Sequence, residues 1–433
     1  LLAGFNMQKV AVFGMGYVGC VTAACLARDG HQVTGVDVDA QKVARVNAGD
    51  PPVSEPGLPG ILQEAVRSGK LRATTSVDEG VDGSDVALIA VGTPSADSGA
   101  VDTRAVERVL QSIGSRLKES GRQYTVVLRS TLLPGILEER LAPVLYEAGG
   151  PGARQRLKIC NNPEFLRESS AIKDYDAPPF IVVGAENEAD AAPVFDLYAG
   201  LPGERFTVST RTAAMVKYVC NAFHALKVAF ANEVGVLARS LGADGHEVMQ
   251  LVCRDTKLNI SPAYMRPGFA FGGSCLPKDL RALTRHAEEH SLQLPLMPAI
   301  LQSNENQLRR AVRLIEQTRL RRIGLVGLSF KAHTDDLRES PLVMLAEILL
   351  GKGFELRILD PGIQVTRLHG RNLAYVDQHL PHLARLLCET QDELLSHAEL
   401  LVLGTDVADG LAPGFQAGRS VMDLRRDLAR PQV

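Results

Sequence analysis

Cys275 has the most direct route to covalent chemistry in this chain, because a thiolate attacks electrophilic carbon and the flanking residues favour that form. It stands in Gly272-Gly273-Ser274-Cys275-Leu276-Pro277-Lys278-Asp279. Two glycines let backbone approach a ligand closely, and Pro277 suits the first position of a helix. Cys275 is then expected just outside the positive end of that helix. Taking a thiol from about 8.5 to near 7 requires roughly 2 kcal/mol, whereas a helix terminus supplies about 0.3–1 kcal/mol. A cation must add the remainder, and Lys278 is three residues away, while Asp279 can hold either water or that lysine. The alternative is a structural cysteine buried in a glycine-rich turn.

A second constellation is Gly14-Met15-Gly16-Tyr17-Val18-Gly19, between a short apolar run and a helical pattern, with Asp37 18 residues beyond Gly19. Glycines at this spacing admit a pyrophosphate to the amino end of the helix, and the Asp37 carboxylate can accept from ribose hydroxyls. Asp37 repels a 2′-phosphate, so NAD is favoured over NADP, with Lys42 on the adenosine side. Gly92-Thr93-Pro94 and Ser130-Thr131-Leu132-Leu133-Pro134-Gly135 follow expected strands. Thr93 and Thr131 are therefore placed either to meet the cofactor or to cap the next helices.

Three further groups carry polar chemistry. Lys217, Asn221, His224, Val228 and Asn232 fall within an arc of roughly 80° if residues 210–241 are helical, which suits a polar cleft or a solvated face. Asn161-Asn162-Pro163-Glu164-Phe165-Leu166-Arg167-Glu168 holds two carboxylates four apart, on one face if helical, able to position water or act as a base. An ordinary helix start is the other reading. Lys331 and Arg338 follow a strand and are two cations able to meet phosphates, unless Asp335 and Asp336 neutralise them.

The elements that must position these groups are legible in outline. Strands are expected at 9–13, 33–36, 86–91, 125–128 and 181–183 with helices between, which gives a parallel, doubly wound α/β sheet. Residues 210–241 contain one Gly and no Pro, and read as a single long helix. From residue 322 the pattern restarts, with strands at 323–328, 355–359 and 400–403. The expected fold is thus two Rossmann-like domains joined by a long central helix, divided as 1–208, 209–318 and 319–433. Gly324, Gly327 and Ser329 do not form a GxGxxG, so a different nucleotide is expected on the last domain.

Composition bounds the partners. With 433 residues, 45% hydrophobic and 22% charged, the chain has length for two or three cores. A net charge of −3 leaves no nucleic-acid footprint, and Arg319, Arg321 and Arg322 form the longest basic cluster. The seven cysteines are irregularly spaced without a CxxC, which suggests neither a disulfide framework nor a metal site and fits a cytoplasmic protein. No run of 18 apolar residues occurs, so no membrane partner is expected. Met7 reads as the natural start, after six residues of uncertain origin.

Taken together, these motifs resemble the nucleotide-sugar 6-dehydrogenase family, which includes UDP-glucose and GDP-mannose dehydrogenases. The resemblance covers residues 10–424. Tyr264-Met265-Arg266-Pro267-Gly268-Phe269-Ala270-Phe271 leading into Gly272, and Cys220-Asn221-Ala222-Phe223-His224, are most similar to the GDP-mannose branch. The resemblance implies Cys275 as nucleophile, with Lys217, Asn221, Glu168 and Asp279 in oxyanion or water-activating roles. It implies Gly14, Gly16, Tyr17, Val18, Gly19, Asp37, Lys42, Thr93, Thr131, Lys278 and Arg338 around NAD. Glu168, Lys217, Asn221, His224, Asn232, Tyr264, Arg266, Phe269, Gly272 and Lys331 are implied around the sugar nucleotide. Ala263 departs from the family's Tyr-Tyr pair before Met. The implied activity is four-electron oxidation of GDP-mannose to GDP-mannuronate with two NAD, through a thiohemiacetal and a thioester on Cys275, for alginate-type polysaccharide. UDP-glucose oxidation is the alternative, and a homodimer or higher homo-oligomer is implied, with the long helix at the interface.

Overall fold

The computed structural model describes residues 7–94, 101–265, 267–273, 275–329, 337–363, 370–412, 414–416, 418–426 and 428. The chain divides into two compact units, residues 1–225 and 226–433. Three domains, 1–208, 209–318 and 319–433, are the sequence expectation; the two units are the division by internal contacts.

In the first unit eight strands form one sheet: β1 Lys9–Phe13, β2 Gln32–Val36, β3 Leu71–Thr74, β4 Val86–Ile89, β5 Tyr124–Leu128, β6 Leu157–Asn161, β7 Phe180–Gly184 and β8 Glu204–Val208. Their order is β3-β2-β1-β4-β5-β6-β7-β8. Alternation along the strands explains the layers. Val10 and Val12 of β1 and Val86 and Leu88 of β4 pack in one core, while Ala11 and Phe13, and Ala87 and Ile89, pack in another on the opposite face. Each fully buried Leu or Val of these cores contributes roughly 1.5–3 kcal/mol.

The structure departs from the expected strands in three ways. β3, β6 and β8 escaped the apolar-run criterion because Arg72, Lys158 and the exposed Glu204 and Arg205 interrupt them. β4 stops at Ile89 rather than residue 91, as the Ile89 carbonyl accepts the Arg129 and Ser130 amides at 2.9 and 3.1 Å. The sheet is also not wholly parallel, since β6 meets β7 antiparallel through the single pair Asn161 and Gly184.

The long helix is Thr210–Ser240, about 46 Å at 1.5 Å per residue. In the second unit β9 Arg322–Val326, β10 Glu355–Leu359, β11 Leu400–Leu403 and β12 Ser420–Asp423 form a parallel sheet in the order β10-β9-β11-β12. Leu308, Ala311, Val312 and Ile315, at helical spacing on Leu296–Thr318, join Ile323 and Leu325 in its core.

The two sheets share one local device. In the first, Gly14 at φ +94 donates its N–H to the Val36 carbonyl at 2.7 Å, and buried Asp37 accepts the Met15 N–H at 2.7 Å. In the second, Gly327 at φ +85 donates to the Leu359 carbonyl at 2.9 Å, and buried Asp360 accepts the Leu328 N–H at 2.8 Å.

Candidate active site

Glycine geometry at the end of β1 tests the dinucleotide reading. A Cβ on Gly14 would stand 3.0 Å from Ala90 and Val91 backbone atoms, and one on Gly19 only 1.7 Å from the Gly14 carbonyl oxygen. Those two positions need glycine for the turn and for packing of the first helix, Tyr17–Arg28. Gly16 differs, because a Cβ there meets nothing within 4 Å, and no side chain caps the helix. Open space and an uncapped positive helix end are what a pyrophosphate requires.

Asp37 completes the cradle. Besides the Met15 bond, its Oδ1 accepts the Asp39 N–H at 2.9 Å, and Lys42 Nζ lies 3.7 Å from Oδ2. Both oxygens keep lone pairs for ribose hydroxyls. At the ends of β4 and β5, the Thr93 hydroxyl donates to the Thr131 carbonyl at 3.1 Å and Ser130 Oγ donates to the Val91 carbonyl at 2.6 Å. Thr93 therefore ties the two expected cofactor loops to each other. Tyr17, Val18 and Gly19 form the first turn of the helix, and these residues together fit NAD.

A second constellation lies in the same unit. Lys217, 8% exposed, places Nζ 3.2 Å from Glu164 Oε1 and over the Phe165 ring, while Glu164 Oε2 accepts the Leu166 N–H at 2.7 Å. Glu164 lines a cavity of about 320 Å³ together with Phe165, Leu166, Cys220 and His224. At its base Arg129 donates to Asn162 Oδ1 at 2.6 Å and to the Tyr198 hydroxyl at 2.7 Å, and Asn162 donates to the Val182 carbonyl at 2.9 Å.

The shared helical face expected for Glu164 and Glu168 is not formed, because 162–167 is non-helical. Pro163 disfavours the α region at Asn162, whose N–H is bonded to the Leu128 carbonyl at 2.9 Å. Glu164 consequently turns to Lys217, and Glu168 is exposed with Ser169 following at φ +69. Asn221, His224 and Asn232 are exposed on the long helix, whereas Lys217 on the same stripe is buried. Sequence spacing drew attention to Glu164 and to Lys217 separately but not to their pairing, and Arg129 and Tyr198 gave no motif signal.

In the second unit Cys275 is exposed and is the N-cap residue of helix Leu276–Glu289, with no side-chain cap bond. Its carbonyl accepts the Asp279 N–H at 2.9 Å. Pro277 is the second helical residue rather than the first, a place whose N–H is equally unneeded. Lys278 and Asp279 pair at 2.7 Å, and that hydrogen bond raises the Lys278 pKa, so the carboxylate holds the lysine.

The glycines before Cys275 approach protein rather than open space. A Cβ on Gly272 would lie 2.3 Å from the Glu339 carbonyl oxygen and 2.5 Å from Pro341 Cδ, and Gly273, at φ +88, donates to the Glu339 carbonyl at 3.3 Å. Asn304 fixes the same strand of chain twice, accepting the Phe271 N–H and donating to the Phe271 carbonyl, both at 2.8 Å. Gln307 donates to the Gly268 carbonyl at 2.6 Å, and Phe269 packs on the core of the unit. Glu339, at φ +52, holds Arg281 through two bonds of 2.8 and 2.6 Å, next to half-buried Arg338. Tyr264 is 88% exposed at φ +61. Arg266 and Lys331 lie outside the described residues.

Comparison with known proteins extends this geometry. Residues 8–201 match the NAD binding domain of the UDP-glucose/GDP-mannose dehydrogenase family, 211–306 its central domain, and 324–425 its UDP binding domain. The chain is 45% identical to GDP-mannose 6-dehydrogenase of Pseudomonas aeruginosa over 96% of each chain. It is 35% identical to a UDP-glucose 6-dehydrogenase of Haloferax volcanii, over 82% of this chain and 83% of that one. A crystal structure of a ternary complex of the Pseudomonas aeruginosa GDP-mannose dehydrogenase superposes with a TM-score of 0.90 at 44% identity, covering 96% of each chain. A UDP-glucose dehydrogenase of Pyrobaculum islandicum gives 0.58 at 36% identity, covering 98% of this chain and 96% of that one.

Proposed function

Because this chain belongs to the UDP-glucose/GDP-mannose dehydrogenase family, we propose that it is an NAD-dependent GDP-mannose 6-dehydrogenase, oxidising the C6 alcohol of GDP-mannose to the carboxylate of GDP-mannuronate. The observation that carries the GDP-mannose assignment is 45% identity over 96% of each chain to an enzyme of that name, against 35% to a UDP-glucose enzyme. The product suits alginate-type polysaccharide synthesis.

Alcohol to carboxylate is a four-electron change, and bound NAD supplies the hydride acceptor, one hydride per molecule, so two are consumed. The turn at Gly14, Gly16 and Gly19 with the first helix holds the pyrophosphate, Asp37 and Lys42 the ribose side, and Thr93 and Thr131 the inner loops. Lys278 and Arg338 complete the proposed cofactor set.

Cys275 acts on the aldehyde that follows the first oxidation. A carbon–sulfur bond forms, and the thiol proton passes to the carbonyl oxygen, giving a thiohemiacetal that keeps the aldehyde attached. The second oxidation leaves a thioester, which water cleaves with return of the thiol. Lys217 and Asn221 stabilise negative oxygen in these steps. Glu164, held by Lys217, joins Glu168 and Asp279 as a base for the hydrolytic water, and the Asp279 bond to Lys278 makes it the weaker choice. His224, Asn232, Tyr264, Arg266, Phe269, Gly272 and Lys331 are proposed to bind the sugar nucleotide.

The enzyme is proposed to be a cytoplasmic homodimer or higher homo-oligomer. On the long helix Met215, Val219, Phe223, Leu226, Val228, Phe230 and Val236 are 37–62% exposed, an apolar surface suited to a second copy. No helix among the described residues is long and apolar enough to cross a membrane. Following NADH with GDP-mannose and UDP-glucose side by side tests the reading. Two NADH per GDP-mannose are expected, and a preference for UDP-glucose or one NADH per sugar overturns it.

A further inference from the structure

Glu55 is used by none of the steps above, yet it joins two parts of the first unit that the proposed reaction needs together. It lies in Pro51-Pro52-Val53-Ser54-Glu55-Pro56-Gly57 and is 5% exposed. Its Oε2 accepts the Tyr17 hydroxyl and also the Ser169 N–H at 2.9 Å, and the Ser169 N–H lies 3.2 Å from the Tyr17 hydroxyl oxygen. Three segments more than a hundred residues apart in part thus converge on one oxygen. No ion pair to Glu55 occurs among the described residues, so its buried charge is met by these donors rather than by a cation.

Each donor is attached to a functional element. Tyr17 is the first residue of the helix whose open amino end faces the Gly16 cradle. Ser169 ends the chain segment that starts at Glu164, and it holds a left-handed φ of +69 that serine seldom adopts unless its surroundings impose it. The Tyr17 phenol is pushed up to about 12, by burial first and by Glu55 second, so it remains a donor across the neutral range.

We infer that Glu55 is a positioning residue that couples cofactor binding to the Glu164–Glu168 segment, so that a dinucleotide seated on the first helix also sets the loop serving the sugar nucleotide. A dinucleotide that pulls on Tyr17 changes the bonds on the Glu55 oxygen and hence on Ser169. The coupling rests on the proposed reaction only for the identity of the second ligand.

The test is binding, measured apart from turnover. NADH is titrated by its fluorescence, and GDP-mannose by calorimetry with and without saturating NADH, on wild type, Glu55→Ala, Glu55→Gln and Tyr17→Phe. Wild type is expected to bind GDP-mannose at least about fivefold more tightly with NADH present, the lower end of usual coupling factors. Glu55→Ala is expected to lose that factor and to weaken NADH, whereas Glu55→Gln, whose Oε1 can accept both bonds, retains it. Glu55→Ala that melts earlier but keeps the coupling factor reveals a merely structural role and overturns the inference. If Glu55→Ala does not fold, Tyr17→Phe decides, since it removes one hydroxyl and is expected to halve the factor or more; an unchanged factor overturns the inference. Wild type that binds NADH but not GDP-mannose refutes the substrate assignment instead. In that case NADH affinity unaltered in Glu55→Ala or, failing that, in Tyr17→Phe overturns the role of Glu55.

Discussion

Replacing Lys217 by Met leaves the Glu164 carboxylate in place with its cation gone. The two side chains are 10% and 12% exposed, and their charged atoms are 3.2 Å apart. At an effective dielectric of 20 the attraction across that distance is about 5 kcal/mol, most of it offset by the cost of desolvating both ions. Removing one partner of such a pair costs about 3–5 kcal/mol. The Leu166 N–H still satisfies one Glu164 oxygen, which points to the lower end. For a unit of this size each kcal/mol moves Tm by roughly 2–4 °C, so Lys217→Met should melt about 6–12 °C lower. Glu164→Gln in the same chain should behave similarly when made alone. The double variant, with no unpaired charge left, should lose no more than either single does, about 3 kcal/mol, giving a coupling of about 3 kcal/mol in a double-mutant cycle followed by chemical denaturation. Turnover should stay lost in all three, which separates the packing of the pair from its chemistry. Single variants within about 0.5 kcal/mol of wild type, or losses that add in the double, would refute the buried-pair argument.

Gly16→Ala should weaken NADH binding at least tenfold with little change in melting, because its Cβ meets only open space, while Gly19→Ala should lower stability as well, its Cβ being 1.7 Å from the Gly14 oxygen; equal melting of the two variants contradicts this. His31 is 1% exposed, accepts the Gln8 N–H at Nδ1 and reaches the Leu197 carbonyl through Nε2, and burial lowers its pKa. The unfolded chain therefore takes up that proton first, so stability present above about pH 6.5 falls as pH drops, by up to about 1.4 kcal/mol per unit; denaturation of His31→Gln between pH 7 and 5 should show a shallower slope. Asn304→Ala removes two bonds to Phe271 and should cost about 1–3 kcal/mol. Amide exchange at Phe271 and Gly273 should quicken, and unchanged protection there would show that the loop before Cys275 is held by other contacts.

Much of the fold was readable because long apolar and glycine patterns have few structural solutions. The 210–241 stretch became the helix Thr210–Ser240, and 355–359 and 400–403 coincide with β10 and β11. Strands β3, β6 and β8 were missed because charged residues within them face outward or pair locally, as Lys158 does with Asp190 at 3.3 Å. The dinucleotide turn was legible since its backbone needs glycine at fixed places. The Glu164 to Lys217 pair was not, as 53 residues separate its members and the segment carrying Glu164 is not helical. Glu55 lay hidden for the same reason: nothing in a proline-rich turn announces which distant hydroxyl and amide will share its oxygen.

The glycine and aspartate device that recurs in both sheets sets a limit on redesign. Three positions separate Gly14 from the helix start at Tyr17, but fourteen separate Gly327 from the helix start at Pro341. Gly327 is crowded as its counterpart Gly14 is, a Cβ there standing 2.2 Å from Thr405 Oγ1 against 3.0 Å from Ala90 and Val91 backbone atoms at Gly14. Installing a GxGxxG after β9 would therefore not create a second dinucleotide binder. Eleven residues of intervening chain would have to be excised before the helix end could reach the strand, and Cys275 would lose the Glu339 backbone on which its own loop is moored.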